Sequence, residues 1–231
     1  MTTPDLRATI TGLFTGQIKQ HWPGKAPSAI HKIRAGGPVS VGPLGFDGDA
    51  QADLTVHGGA EKAVHHYATD HYAFWQSKGM IPPGTQPAAF GENIATFGMD
   101  ETTLCIGDIL TAGTAILQIS QGRQPCWKLN AHTHQDTMAA WFQKTGWTGW
   151  YYRVLQPGVI TQGDQITLSD RPCPGWTVAR VTQARLTRQI TTDDAAQLAD
   201  LPELAPGWRA AFAKMARGDR AEDTSARLGQ T

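Results

Sequence analysis

The chain has 231 residues, with 20 basic and 20 acidic side chains and a net charge of zero when the histidines are neutral. That length suits one sizeable domain with a small appendage. The charge balance excludes a chain-wide basic field for a nucleic-acid polymer or an anionic membrane, and leaves room for a local basic pocket.

Residues 1–10 are polar and lack the apolar core of a signal peptide. No later apolar run approaches the length of a membrane span, and the chain reads as cytoplasmic. Ser28-Ala-Ile-His-Lys32 predicts a strand over 28–33 whose alternation sets Ser28, Ile30 and Lys32 on one face. If that face is interior, Lys32 needs an anion to offset its desolvation. Residues 39–41 predict another short strand. The segment 48–64 brings His57-Gly-Gly into a helix predicted over 60–75, where Val64, Tyr67, His71 and Trp75 stand at near-helical spacing. A helix start there offers N–H groups to an anion. Lys62 in its first turn opposes the helix dipole unless it reaches an anion; the plain alternative is a Gly-rich turn with a solvated lysine.

Phe90-Gly-Glu-Asn-Ile94 suits either a turn or a pocket edge, with Asn93 as a polar reader and Glu92 as a buried acceptor. The segments 104–110 and 159–168 each join an apolar run to a second alternating run through Gly-Asp, as paired strands do. Residues 115–119 and 149–155 predict further strands. A helix is expected over 136–145, with Met138, Trp141 and Phe142 on one face and Gly146 as its stop. Many short strands with Gly-rich turns imply a mainly β fold with α, closed or partly closed into a barrel over residues 1–170. A linker follows at 170–175. Residues 176–217 then form a three-helix appendage, with segments at 178–186, 192–199 and 206–217. Thr191 stands where an N-cap belongs, and Leu204, Trp208, Ala211, Phe212 and Met215 share one face. The charged residues 218–231 read as a flexible tail.

Three widely spaced cysteines make neither a disulfide framework nor a metal knuckle. Cys105 alternates with apolar neighbours, as a core residue does, and Cys173 lies between prolines. Cys126 differs. It stands in Ser-Gln-Gly-Arg-Gln-Pro-Cys-Trp-Lys (120–128), just past a strand end, with Arg123 and Lys128 within three residues. Such cations favour the thiolate, the form that binds a soft metal or attacks an electrophile. A small core cysteine is the plain alternative. The histidines form no zinc-site spacing, and dinucleotide, P-loop and nucleophile-elbow motifs are absent.

At these residues the chain resembles the MOSC domain, the C-terminal part of molybdenum cofactor sulfurases. Within that family it is similar to the bacterial YiiM-like branch, associated with resistance to N-hydroxylated base analogues. The resemblance runs through Ser-Ala-Ile-x-Lys (28–32), Gly-Asp-x-Gln-Ala-Asp…Val-His-Gly-Gly-x-x-Lys-Ala-Val (48–64), His71-Tyr-x-x-Trp75, Phe-Gly-Glu-Asn-Ile (90–94), Ile-Gly-Asp (106–108) and the Cys126 segment. One departure is Gly122, where the branch usually has proline, a change that loosens the loop. The family implies a MOSC-type β-barrel, a three-helix domain after it, and a molybdopterin-type molybdenum cofactor with Cys126 as the metal ligand. Lys32, His57, Lys62, Asn93, Ser120, Arg123 and Lys128 sit in the matching motifs and are expected around that cofactor.

The activity so implied is molybdenum-dependent reduction of N-hydroxylated compounds to amines. Neither a flavin-type motif nor an iron–sulfur cysteine set is present, so a separate reductase is expected to supply electrons. A homodimer is compatible with the sequence. Two rivals stand beside this reading: a cofactor or persulfide carrier without turnover, and a thiol hydrolase using Cys126 with a base such as His57.

Overall fold

The computed structural model describes residues 5–53 and 57–229; Leu54, Thr55 and Val56 of the 48–64 motif, the first four residues and the last two lie outside the described residues. The chain opens with β1 (Arg7–Thr15), whose alternating burial marks a strand with one face in the core. After β2 (Ile33–Arg34), β3 (Val39–Gly42) and β4 (Gly45–Phe46) come β5 (Val64–Ala68), β6 (Ile94–Thr96), β7 (Ile109–Ala112), β8 (Ala115–Gly122), β9 (Trp150–Gln156), β10 (Gly158–Ile160) and β11 (Gln165–Asp170). The order β11-β7-β8-β9-β5-β6-β1 closes through the β1–β11 pair into a barrel, while β10, β3 and β4 form a small separate sheet. The β5–β6 pair is parallel; the other pairs in the ring are antiparallel.

The helix predicted over 60–75 is not formed. Residues 60–62 make a 3-10 turn, Val64–Ala68 is a barrel strand, and a second 3-10 turn, Thr69–His71, leads into α1 (Tyr72–Ser77), the one α-helix of this span. All five β5 residues are buried. A strand covered on both faces loses its alternation and cannot be told from a helix by periodicity. The strand predicted over 28–33 shrinks to a bridge at Ser28 and the short β2. Ser28, Ile30 and Lys32 nevertheless border one cavity.

A second apolar core lies outside the barrel, under α1, α2 (Trp127–Thr133) and α3 (Met138–Thr145). There Trp75 stacks on Phe142 at 5.1 Å, and its indole Nε1 donates to the Tyr67 hydroxyl at 2.7 Å. The polar end of the aromatic cluster is thereby satisfied.

Helices α4 (Val178–Thr187), α5 (Thr192–Asp200) and α6 (Pro206–Ala216) follow the barrel. Thr191 caps α5, its side chain accepting from the Asp194 N–H. These helices share the barrel's core: Val178, Val181, Trp208, Phe212 and Met215 pack in one cluster with Ile10, Leu117 and Ile119. The joint is close at Gly122. A Cβ there would fall 2.0 Å from Thr182 Oγ1 and 3.1 Å from the Trp208 ring. Gly122 also pairs with Trp150 across β8 and β9, so this glycine is held in a strand and does not loosen the loop. The described part of the tail packs back on the body: α7 (Ser225–Leu228) buries Leu228 in the second core.

Candidate functional site

β8 ends at Gly122, Arg123–Pro125 form the connection that follows, and Cys126 opens α2 at its N-cap position. The cysteine is 9% exposed and borders two joined compartments of one cleft. The inner one, about 80 Å³, lies between the Cys126 loop, residues 28–32, residues 49–52 and the turn at Gly91. The outer one, about 530 Å³, opens past Gln124 and Trp127. The second volume falls in the range of small-molecule sites, whereas the first takes only a few atoms. His57, Lys62, Cys126 and Tyr151 border both.

Lys32 finds its anion within the protein. Its Nζ lies 2.5 and 2.6 Å from the two carboxylate oxygens of Asp49, and both side chains are buried. Asp49 also accepts from the Gly16 N–H at 2.7 Å and from Asn93 Nδ2 at 2.8 Å. Burial pushes the Lys32 ammonium below its usual range, against the upward pull of Asp49. Breaking such a buried pair costs about 3–5 kcal/mol, so Lys32 and Asp49 act as one structural unit in the inner wall. Asn93 is likewise committed. Its Oδ1 accepts from the His65 N–H at 3.0 Å and its Nδ2 also donates to the Phe14 carbonyl at 3.1 Å.

Arg123 and Lys128 are buried cations of the inner wall. Arg123 Nη1 donates to the Phe90 carbonyl at 2.6 Å, tying the Cys126 loop to the Phe-Gly-Glu-Asn turn. Glu92 holds that turn by accepting from the Ala88 and Phe90 N–H groups and from the Tyr72 hydroxyl. Ser120 is fully buried behind the wall and borders neither compartment. Its hydroxyl reaches the Glu61 and Tyr151 carbonyls at 2.6 and 3.1 Å. Arg153 pairs with the Glu61 carboxylate. The 60–62 turn that carries Lys62 into the cleft is thus pinned from both sides.

The charges of the cleft act on its histidines. His57 is held down to about 4 by burial first, then by Lys128, Arg123 and Lys62, with Asp53 opposing. Burial and Arg123 also lower His65 well below the ordinary value. Its two ring nitrogens face the Gly91 and Thr148 carbonyls at 3.4 and 3.2 Å. A neutral imidazole has one N–H and donates to only one of them. Burial raises the Tyr151 phenol, which therefore keeps its proton. Lys62 is lowered by burial and raised by Asp53.

Sequence reasoning brought Cys126, His57, Lys62, Arg123 and Lys128 to the cleft, together with Lys32 and Asn93 as wall residues with internal partners. It missed Asp49, His65, Tyr151 and Arg227. Asp49 had a signal, as the nearest motif carboxylate to a lysine that needed one. Tyr151 and Arg227 arrive from distant parts of the chain and had none. Among the described residues no group of three or more His, Cys, Asp or Glu side chains is arranged to hold a metal ion by itself. No described helix is long and apolar enough to cross a membrane.

Two family models match the chain, the MOSC domain over residues 53–167 and the YiiM-like 3-alpha helix domain over 176–216. The Escherichia coli protein YiiM is 35% identical over 94% of this chain and 96% of its own length. A Gibberella moniliformis protein named reductase is 38% identical over 78% of this chain, which spans 32% of that protein. The crystal structure of YiiM from Geobacillus stearothermophilus aligns with a TM-score of 0.77 at 31% identity, covering 90% of this chain and 99% of that one.

Proposed function

Because the chain belongs to the MOSC-domain family and carries its YiiM-like three-helix domain, we propose that it is a molybdenum-cofactor-dependent oxidoreductase that reduces N-hydroxylated compounds, N-hydroxylated base analogues among them, to amines. The observation that carries this reading is the position of Cys126. Of the three thiols it alone borders the cleft, and it does so beside Lys62, Arg123 and Lys128.

The donor set fits the group. One soft thiolate suits molybdenum whose remaining ligands come from the cofactor's dithiolene. The cations suit its phosphate, and the rings of Tyr151 and Trp127 offer flat apolar surface to a pterin or a heteroaromatic substrate. When bound, the cofactor supplies the two-electron chemistry by which R–NHOH, two electrons and two protons give R–NH2 and water. The protein's share is to hold and orient. Arg123 fixes the Cys126 loop through the Phe90 carbonyl. The phenol of Tyr151 can donate a hydrogen bond, and the neutral His57 can donate one and accept another. Electrons come from a separate reductase. The relative named reductase supports the oxidoreductase half of this reading.

The hydrolase rival is disfavoured by His57, since an imidazole held down to about 4 is a weak general base near neutral pH. The test is turnover. Protein from a host with active cofactor synthesis, supplied with a chemical electron donor, is given an N-hydroxylated base and the amine is quantified. The parent is expected to form amine at least ~100-fold faster than Cys126→Ala, the order of loss expected when a group essential to the reacting centre is removed. Equal amine from both would sink the proposal.

A further inference from the structure

The C-terminal segment crosses from the helical domain back to the cleft. At its start Glu222 pairs with Arg185 at 2.8 Å and Arg188 at 3.5 Å, both contributed by the end of α4. At its finish Leu228 enters the second core, and its carbonyl accepts from Asn130 Nδ2 at 3.0 Å. Between these anchors Arg227 stands in the wall of the outer compartment. Its Nη1 donates at 2.6 Å to the carbonyl of Pro125, the residue before Cys126, and its Nη2 to Gln143 Oε1 at 3.2 Å. Two bonds fix the plane of the guanidinium and use two of its five N–H groups. Among the described wall residues of the outer compartment no carboxylate occurs; Lys62 and Arg227 are its lysine and arginine, with Gln121 and Gln124 as neutral polar neighbours.

We propose that Arg227 is a specificity-determining residue, which makes the outer compartment an oxyanion site at the mouth of Cys126. The site favours a molecule bearing a phosphate group over its neutral counterpart. A guanidinium pre-oriented by two hydrogen bonds loses little entropy on meeting a phosphate, and a partly buried setting strengthens the attraction. The inference rests on the reading of the Cys126 cleft as the working site. The phosphate can come from the cofactor or from a substrate such as a nucleotide, and the experiment separates the two.

Full-length, cofactor-free protein is alkylated with iodoacetate or with iodoacetamide, and modification of the Cys126 peptide is followed by mass spectrometry, with the Cys105 and Cys173 peptides as controls. The iodoacetate-to-iodoacetamide rate ratio at Cys126 is expected to fall about threefold to tenfold in Arg227→Gln at low salt, and the difference to shrink as salt rises. Arg227→Lys should keep most of the ratio, since it keeps the charge, and melting temperatures check that each variant is folded. In the parent, adenosine monophosphate protecting Cys126 better than adenosine, with the advantage gone in Arg227→Gln, assigns the site to a substrate phosphate. Loss of molybdenum and pterin from cofactor-loaded Arg227→Gln without that advantage assigns it to the cofactor. A rate ratio equal in parent and folded Arg227→Gln overturns the proposal. Absence of molybdenum from the parent would instead count against the cofactor reading and leave the charge ratio as it stands.

Discussion

Burial pushes the Cys105 thiol up to about 11 and the Cys173 thiol up to about 12, with Asp108 and Glu203 adding to the shift. Neither borders the cleft that Cys126 borders. The contrast was legible in the sequence, because Arg123, Pro125 and Lys128 lie on the same loop and helix start as the cysteine. Tyr151 and Arg227 were not, since each reaches the cleft through tertiary folding. A buried histidine supplies a test at this scale. His66 is fully buried, with ring nitrogens 3.0 Å from the Tyr152 hydroxyl and 2.8 Å from Thr96 Oγ1, and burial holds it down to about 3. Both partners are hydroxyls and serve the neutral ring equally. Between about pH 3 and its unfolded value near 6.5, the unfolded chain takes a proton that the folded chain refuses. Its stabilising contribution is therefore whole above that window and is lost as the pH falls through it, by about 1.4 kcal/mol per pH unit for one proton. Urea midpoints between pH 7 and 5 should fall with acidification, and His66→Gln, though less stable, should show a shallower slope. An unchanged slope would mean that this ring is protonated in the fold.

At the scale of elements, local pattern and tertiary context diverged where a strand is covered twice. Val64–Ala68 lies between β6 and β9 with both faces buried. Its apolar spacing merged with that of α1 into one apparent helix. The strands with a regular alternation, such as β3, and the three helices after the barrel were readable, because each has one solvent face. β1 has such an alternation too and could have been found. Gly122 was read as a source of looseness, and the opposite holds: the helical domain occupies the space a side chain would need. Gly122→Ala should destabilise the protein by about 1–3 kcal/mol, the usual cost of overpacking. Thr182→Ala alone should cost little, because its hydroxyl is buried without a partner among the described residues. In the double variant at least half of the Gly122→Ala loss should return. Additive losses in denaturant melts would show that the clash is relieved some other way.

Across the whole molecule, the cleft is assembled at the meeting of four parts: the end of β8, the 60–62 turn, the helices of the second core, and the C-terminal segment. Ser120 joins two of them to the helical domain, with its hydroxyl toward the turn at Glu61, its backbone in β8, and its carbonyl accepting from the Ala205 N–H of the helical domain at 2.9 Å. The helical domain therefore supports the wall that carries Lys62, although none of its own side chains borders the two compartments among the described residues. In the proposed function Cys126 is the one protein ligand to molybdenum. The most direct measurement is metal and pterin analysis of protein purified from a host with active cofactor synthesis, beside Cys126→Ala prepared in the same way. Near-stoichiometric molybdenum and pterin in the parent, with the molybdenum lost in the variant, is the predicted result. A parent that carries neither, or a variant that keeps its molybdenum in full, would contradict it.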